Sequence, residues 1–212
     1  MLMDYVQRGG PVMYPLLACS IVAFTVITER LLFWMRMRRL HAPDAISRCL
    51  RLAQEGLYEE ALGLARSSAD PSLRVLARGL AERDAAPSRS MEQAAKDAVS
   101  RMHRYLAVLD TTITVAPLLG IFGTLTGIIR AFDSLSAAGL PDPRLVASGI
   151  AEALITTIAG LTIAIPGIIF YNHFIRRVEQ GTQEIERHAT DLELILEPRR
   201  RDERELTEPV LR

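Results

Sequence analysis

The sequence predicts an all-α integral membrane protein. Three transmembrane helices are expected, with spans two and three extended into the cytoplasm and a small cytoplasmic helical bundle beside them. Segregation of residue types is the first observation behind this. The 212 residues are 49% hydrophobic and 24% charged, with a formal net charge of zero, yet residues 9–28, 111–129 and 153–175 hold no Asp, Glu, Lys or Arg. Those runs of 20, 19 and 23 residues match the roughly 20 needed to cross a ~30 Å hydrocarbon layer as a helix. The second observation is where the positive charge falls. Residues 36–104 carry thirteen basic residues and those after Ile175 carry eight, together 21 of 25, whereas Arg8, Arg130 and Arg144 stand almost alone on the other side. Basic loops remain in the cytoplasm, so the expected threading has the N-terminus outside and the C-terminus in the cytoplasm.

Each element follows in order. Residues 1–10, which open "MLMDYVQRGG", form a periplasmic segment that can lie along the interface. Span one covers 11–35. Its "TERLLFWMRMRR" end reads as a charged exit from the bilayer rather than a cleaved leader. The cytoplasmic region is 36–104. Within it Ile46, Leu50, Ala53, Leu57, Ala61 and Leu64 recur at helical steps, softened by Gly56 into two short helices. Asp70-Pro71 breaks this pattern ahead of a helix through Leu73, Leu76 and Leu80, and "RDAAPS" breaks the chain again. Ser90 and Gln93 fit a capping box. The helix they open is expected to run unbroken into span two, residues 105–132. A periplasmic loop, 133–145, and span three, 146–175, follow. The segment 176–212 keeps an apolar face through Val178, Ile185, Ala189, Leu192 and Leu196 up to Pro198, and then a disordered tail.

Cys19 and Cys49 fall in different compartments, so no disulfide is implied. The four histidines, His41, His103, His173 and His188, read as solvated or interfacial, and no spacing suggests a metal. Neither a cofactor nor a nucleic-acid partner is expected, and no nucleophile–base set marks an enzyme.

The stretch "PLLGIFGTLTGIIRAF" raises the functional question, because lipid-facing helices need neither glycines nor hydroxyls. Ala116, Gly120, Thr124, Gly127 and Ala131 form one stripe on span two, with Gly123 beside it. Gly149, Ala153, Thr157, Gly160, Ala164 and Gly167 form another on span three. Small residues let helix backbones approach closely in lipid, which assigns Gly120, Gly123, Gly127, Gly160 and Gly167 to packing, within one subunit or between copies. Most membrane threonines bond the carbonyl one turn back. Thr124 and Thr157 differ by lying on the small stripes at similar depths, about 12 and 16 Å from the span ends. Glu152 sits one to two turns inside span three, where a carboxylate is costly and faces a cavity or partner. Asp110 opens span two, where interfacial placement accounts for it. Threonine cannot titrate usefully, so proton passage here requires a mid-membrane acid from another chain.

"APLLGIFGTLTGI", followed by "GIAEALITTIAGLTIAIPGIIFYNHF" and preceded by "YPLLACSIVAFTVITERLLF", resembles the ExbB/TolQ (MotA/TolQ/ExbB) proton channel family over nearly the whole chain. The resemblance implies a homopentamer around a single-span partner dimer of ExbD or TolR type, which supplies the proton-carrying Asp. Protons are then the coupling ion, and force passes to a TonB- or TolA-like protein for outer-membrane import or envelope maintenance. By resemblance the channel threonines are Thr124 and Thr157 and the span-three glutamate is Glu152. "LITTI" also leaves Thr156 open as the pore-facing hydroxyl. The alternatives are a stator subunit for gliding or other motility and a non-conducting membrane scaffold. A flagellar stator of the MotA kind would need a fourth span.

Overall fold

The computed structural model describes residues 9–138 and 143–207, without the side chains of 134–138, 143, 145, 146, 148, 152 and 198–207. The N-terminal interfacial segment, apart from its last two residues, and the Glu152 carboxylate therefore lie outside what is described. Among the described residues seven helices run in order: α1 Met13–Leu40, α2 Pro43–Gln54, α3 Tyr58–Ser67, α4 Pro71–Ala81, α5 Pro87–His103, α6 Leu106–Ala138 and α7 Pro143–Thr207. No strand occurs among the described residues, and three helical stretches are long and apolar enough to cross a membrane. The chain divides into two compact units, one of residues up to Leu31 with 105–175, the other of 32–104 with 176–212.

In the first unit α6 packs on the N-terminal half of α7. The start of α1 joins them: Val12, Met13 and Leu16 bury against Ala116, with Leu119, Ala159 and Ile163 alongside. Large apolar side chains remain exposed all round, including Phe24 on α1, Phe122 and Leu125 on α6, and Ile158 and Ile169 on α7. An apolar outer surface of this extent suits lipid or further subunits rather than water.

The second unit is built from short helices whose ends the sequence marks. Gly56 takes φ 84° between α2 and α3. Asp70 caps α4, accepting from the Ser72 amide at 2.8 Å, with Pro71 at the first helical position. Asp70 is 1% exposed and also accepts from the Ala42 amide at 3.1 Å, with His41 Nδ1 at 3.3 Å. Ile46, Cys49, Leu73, Leu76, Leu80, Met91 and Met102 bury here with Val178, Ile185 and Leu192 of α7. His188, read as solvated, has its Nδ1 buried without a hydrogen-bond partner. Asp191, at 3.8 Å, is too far to supply one. Burial and, less strongly, Arg187 lower the pKa of His188 from 6.5 against the pull of Asp191, Glu184 and Asp70.

Three expectations need correction. Helix α5 starts at Pro87 with Ala86 as its cap and no side-chain cap bond. Proline is preorganised for the first turn, so the helix begins before Ser90 and the Ser90–Gln93 capping box does not form. The helix is also not continuous into span two. Arg104 turns extended at φ −52°, ψ 133°, and Tyr105 takes φ 65° before α6 begins. A tyrosine in this left-handed region costs roughly 1–2 kcal/mol. The Arg30 guanidinium lies 5.8 Å from its ring centroid, is 1% exposed and pairs with Glu29 at 2.5 Å. Finally, α7 keeps helical backbone past Pro198 to Thr207, through a run of Arg and Glu that favours helix.

Candidate functional site: a hydroxyl cluster between two glycine-lined helices

Glycine decides how close α6 and α7 come. A Cβ on Gly160 would meet the Ala116 carbonyl oxygen at 2.6 Å, and one on Gly120 would meet the Thr156 carbonyl oxygen at 3.0 Å. A Cβ on Gly127 would meet Ala153 at 3.1 Å, one on Gly123 would strike the Thr156 hydroxyl at 2.5 Å, and one on Gly167 would strike Ile113. Partner numbers fall along α7 as they rise along α6, so the helices are antiparallel. The two small stripes are therefore each other's partners within one chain. That removes them as an argument for a ring of subunits, which must rest on other surfaces.

The close approach brings three hydroxyls together. Thr124 Oγ1 donates to Gly120 O at 3.0 Å on its own helix and to Ala153 O at 3.1 Å across the interface. Thr156 Oγ1 donates to Ala153 O at 2.7 Å and to Gly120 O at 3.1 Å. Thr157 Oγ1 lies 3.3 Å from Gly120 O and bonds directly to Thr124 Oγ1. Thr156 is 1% exposed, a packing hydroxyl sealed between the helices, whereas Thr124 and Thr157 are half-buried. The geometry thus pairs Thr124 with Thr157 and separates both from Thr156. The remaining threonines behave simply: Thr111, Thr112, Thr114, Thr126 and Thr162 each bond the carbonyl four residues back at 2.7–3.0 Å.

Counting donors shows what the cluster can do. Three hydroxyl protons converge on the carbonyls of Gly120 and Ala153, and each carbonyl has two lone pairs. Helical amides four residues on use one pair each, which leaves about two acceptor positions for three donors. Thr156 fills one and either Thr124 or Thr157 the other, so the remaining hydroxyl of the pair donates to its partner. The hydroxyl pair keeps open acceptor capacity on a half-exposed edge. It can hydrogen-bond a water or a protonated carboxyl, but it cannot itself carry charge.

A model of the MotA/TolQ/ExbB proton channel family matches residues 67–187, which include all three hydroxyls. The chain belongs to this family. Over 201 residues it is 35% identical to the "Putative biopolymer transport protein ExbB-like 1" of Synechocystis sp., covering 92% of this chain and 78% of that protein. It is 40% identical over 96 residues to the "Tol-Pal system protein TolQ" of Haemophilus influenzae (45% of this chain, 42% of that one). Against the "Biopolymer transport protein ExbB" of Salmonella typhimurium it is 38% identical over 80 residues, 38% of this chain and 32% of that protein. Membership makes this a transport component of an inner-membrane proton channel family rather than a member of an enzyme family.

Of the residues singled out from sequence, α6 and α7 bring together Thr124, Thr157, Gly120, Gly123, Gly127, Gly160 and, farther along, Gly167. Glu152 lies on α7 one residue before Ala153, and its side chain is outside the described residues. The interhelical bond of Thr156 was not foreseen. Its only signal was the doubled threonine, whose first member falls three residues after Ala153 and four before Gly160 on the buried stripe.

Proposed function

We propose that this chain is the channel subunit of an energy-transducing motor in the inner membrane, with Thr124, Thr157 and Glu152 on its proton path. Five copies surround a dimer of ExbD- or TolR-like single-span partners, and a TonB- or TolA-like protein takes up the force. The N-terminus is periplasmic and residues 36–104 and 176–212 are cytoplasmic. The observation carrying this reading is the Thr124–Thr157 hydroxyl pair, with open acceptor capacity and no ionisable side chain between Asp110 and Arg130 on α6. A hydroxyl cannot take up and release protons at neutral pH, so a carboxyl must come alongside it from the partner helices. Proton transfer then alternates that carboxyl between charged and neutral forms, and its changing attraction to the pore wall moves the inner helices.

The test is reconstitution in liposomes carrying an internal pH-sensitive dye, with and without the single-span partner. Proton influx under an imposed membrane potential should require both proteins and vanish when the partner's intramembrane Asp becomes Asn. Equal influx from this chain alone would refute the shared site. No influx from an assembled complex would favour the scaffold alternative.

A further inference from the structure

We propose that Asp110 is a further station of the proton path, a carboxylate that relays protons between the hydroxyl pair and the cytoplasm. This rests on the function proposed above. Asp110 is not at the edge of the apolar segment: Leu106, Ala107, Val108 and Leu109 form a full helical turn before it, with Leu106 and Leu109 buried. Its side chain is nevertheless exposed on the first unit. A carboxylate one turn inside a membrane helix is costly unless it faces a water-filled cavity or a partner.

The helix geometry says which way it faces. Thr124 follows Asp110 by fourteen residues, about four turns at 3.6 residues each, so the two share one edge of α6, on which Pro117 also falls. Thr114, exposed one turn above Asp110, commits its hydroxyl to the Asp110 carbonyl at 2.9 Å and does not neutralise the carboxylate. The antiparallel register, in which Ile113 meets Gly167, sets Asp110 level with about residue 170 of α7. There Asn172, fifteen residues beyond Thr157, is exposed and lies on the same side of its helix, about 60° round from Thr157. The edge that carries the hydroxyl pair thus ends, about 20 Å away, in a carboxylate and an amide, with Thr114, whose hydroxyl is committed to backbone, Pro117, and leucine and isoleucine side chains between. A bore lined by this edge is apolar in its middle and polar at the cytoplasmic mouth. There the Asp110 carboxylate accepts the excess proton from a hydronium that the channel releases on its cytoplasmic side, and then passes it to a cytoplasmic water, which becomes hydronium. The carboxylate is regenerated and nothing else is consumed.

The experiment compares Asp110→Asn, Asp110→Glu and Thr157→Val in the chain co-reconstituted with its partner, measuring dye-reported proton influx and complex assembly in each. Asp110→Asn should cut influx by about a hundredfold with assembly intact, the low end for a positioned proton-transfer group. Asp110→Glu should restore it. Near-normal influx in Asp110→Asn beside loss in Thr157→Val overturns the relay and leaves the channel reading standing. Loss in both Asp110 variants also overturns it, because shape rather than the carboxyl then matters. If Asp110→Asn does not assemble, Asp110→Cys in a chain lacking Cys19 and Cys49 decides. Labelling by a charged thiol reagent from the cytoplasmic face supports the relay, and protection overturns it.

Discussion

Replacing Gly160 with alanine adds one methyl group at the tightest backbone approach between α6 and α7. The new Cβ would sit 2.6 Å from the Ala116 carbonyl oxygen, 3.2 Å from its carbon and 3.3 Å from Gly120 Cα, against 3.4 Å for ordinary contact. All three neighbours are backbone, so no side chain can swing away, and the helices must part locally by about 0.8 Å. Thr156 Oγ1 to Gly120 O, now 3.1 Å, would then exceed a hydrogen-bonding distance. Overpacking costs roughly 1–3 kcal/mol and each interhelical hydrogen bond in a membrane about 0.6 kcal/mol, for a total of about 2–4 kcal/mol. Gly127→Ala meets the Ala153 side chain first, at 3.1 Å, and should cost about 1 kcal/mol or less. Denaturant titration of the detergent-solubilised protein, followed by far-ultraviolet circular dichroism, ranks the two variants. A Gly160→Ala protein within about 0.5 kcal/mol of the parent, or less perturbed than Gly127→Ala, would refute the reasoning.

Gly63→Ala should act in the opposite direction, stabilising by roughly 0.5–1 kcal/mol, because its Cβ meets nothing within 4 Å; the same titration reads it. Asp70→Ala should destabilise the second unit by about 1–3 kcal/mol, since it strands the Ser72 and Ala42 amides, and faster hydrogen exchange at the start of α4 would report it. Burial pushes the Cys49 thiol up from 9.0 to about 11. Cys49 should therefore resist iodoacetamide at pH 8. The unfolded thiol ionises first, so stability should fall as pH rises between these values, an effect that Cys49→Ala removes. His188 has the reverse sense: its pKa is lowered from 6.5 by burial, so the unfolded chain takes up the proton first. Stability should fall as pH drops below 6.5, and the drop should be smaller in His188→Gln.

Period and charge made the three spans, the short helices at Gly56 and Asp70-Pro71, and both small stripes legible in the sequence. These are local signals, and local signals survived. What the stripes pack against was not legible, because small residues serve contacts within a subunit and between subunits equally well. Only the antiparallel register of α6 and α7 shows that they face each other, and it also divides Thr156 from Thr157. The break at Arg104–Tyr105 was invisible for another reason. Neither Gly nor Pro marks it, and Tyr105 holds a conformation it rarely adopts, with Arg30, 75 residues earlier in the chain, against its ring. Ser90 misled because two start signals lie three residues apart and proline, at Pro87, comes first.

The most direct test of the hydroxyl pair is proton influx through the reconstituted complex with Thr157 as Thr, Ser or Val. Valine keeps the branched shape without the hydroxyl, and serine keeps the hydroxyl without the methyl. With assembly verified in each, Thr157→Ser should conduct nearly as the parent does and Thr157→Val should lose conduction, with Thr124 following the same order. Full conduction by the valine variants at both positions would contradict the account and leave Thr124 and Thr157 as packing residues.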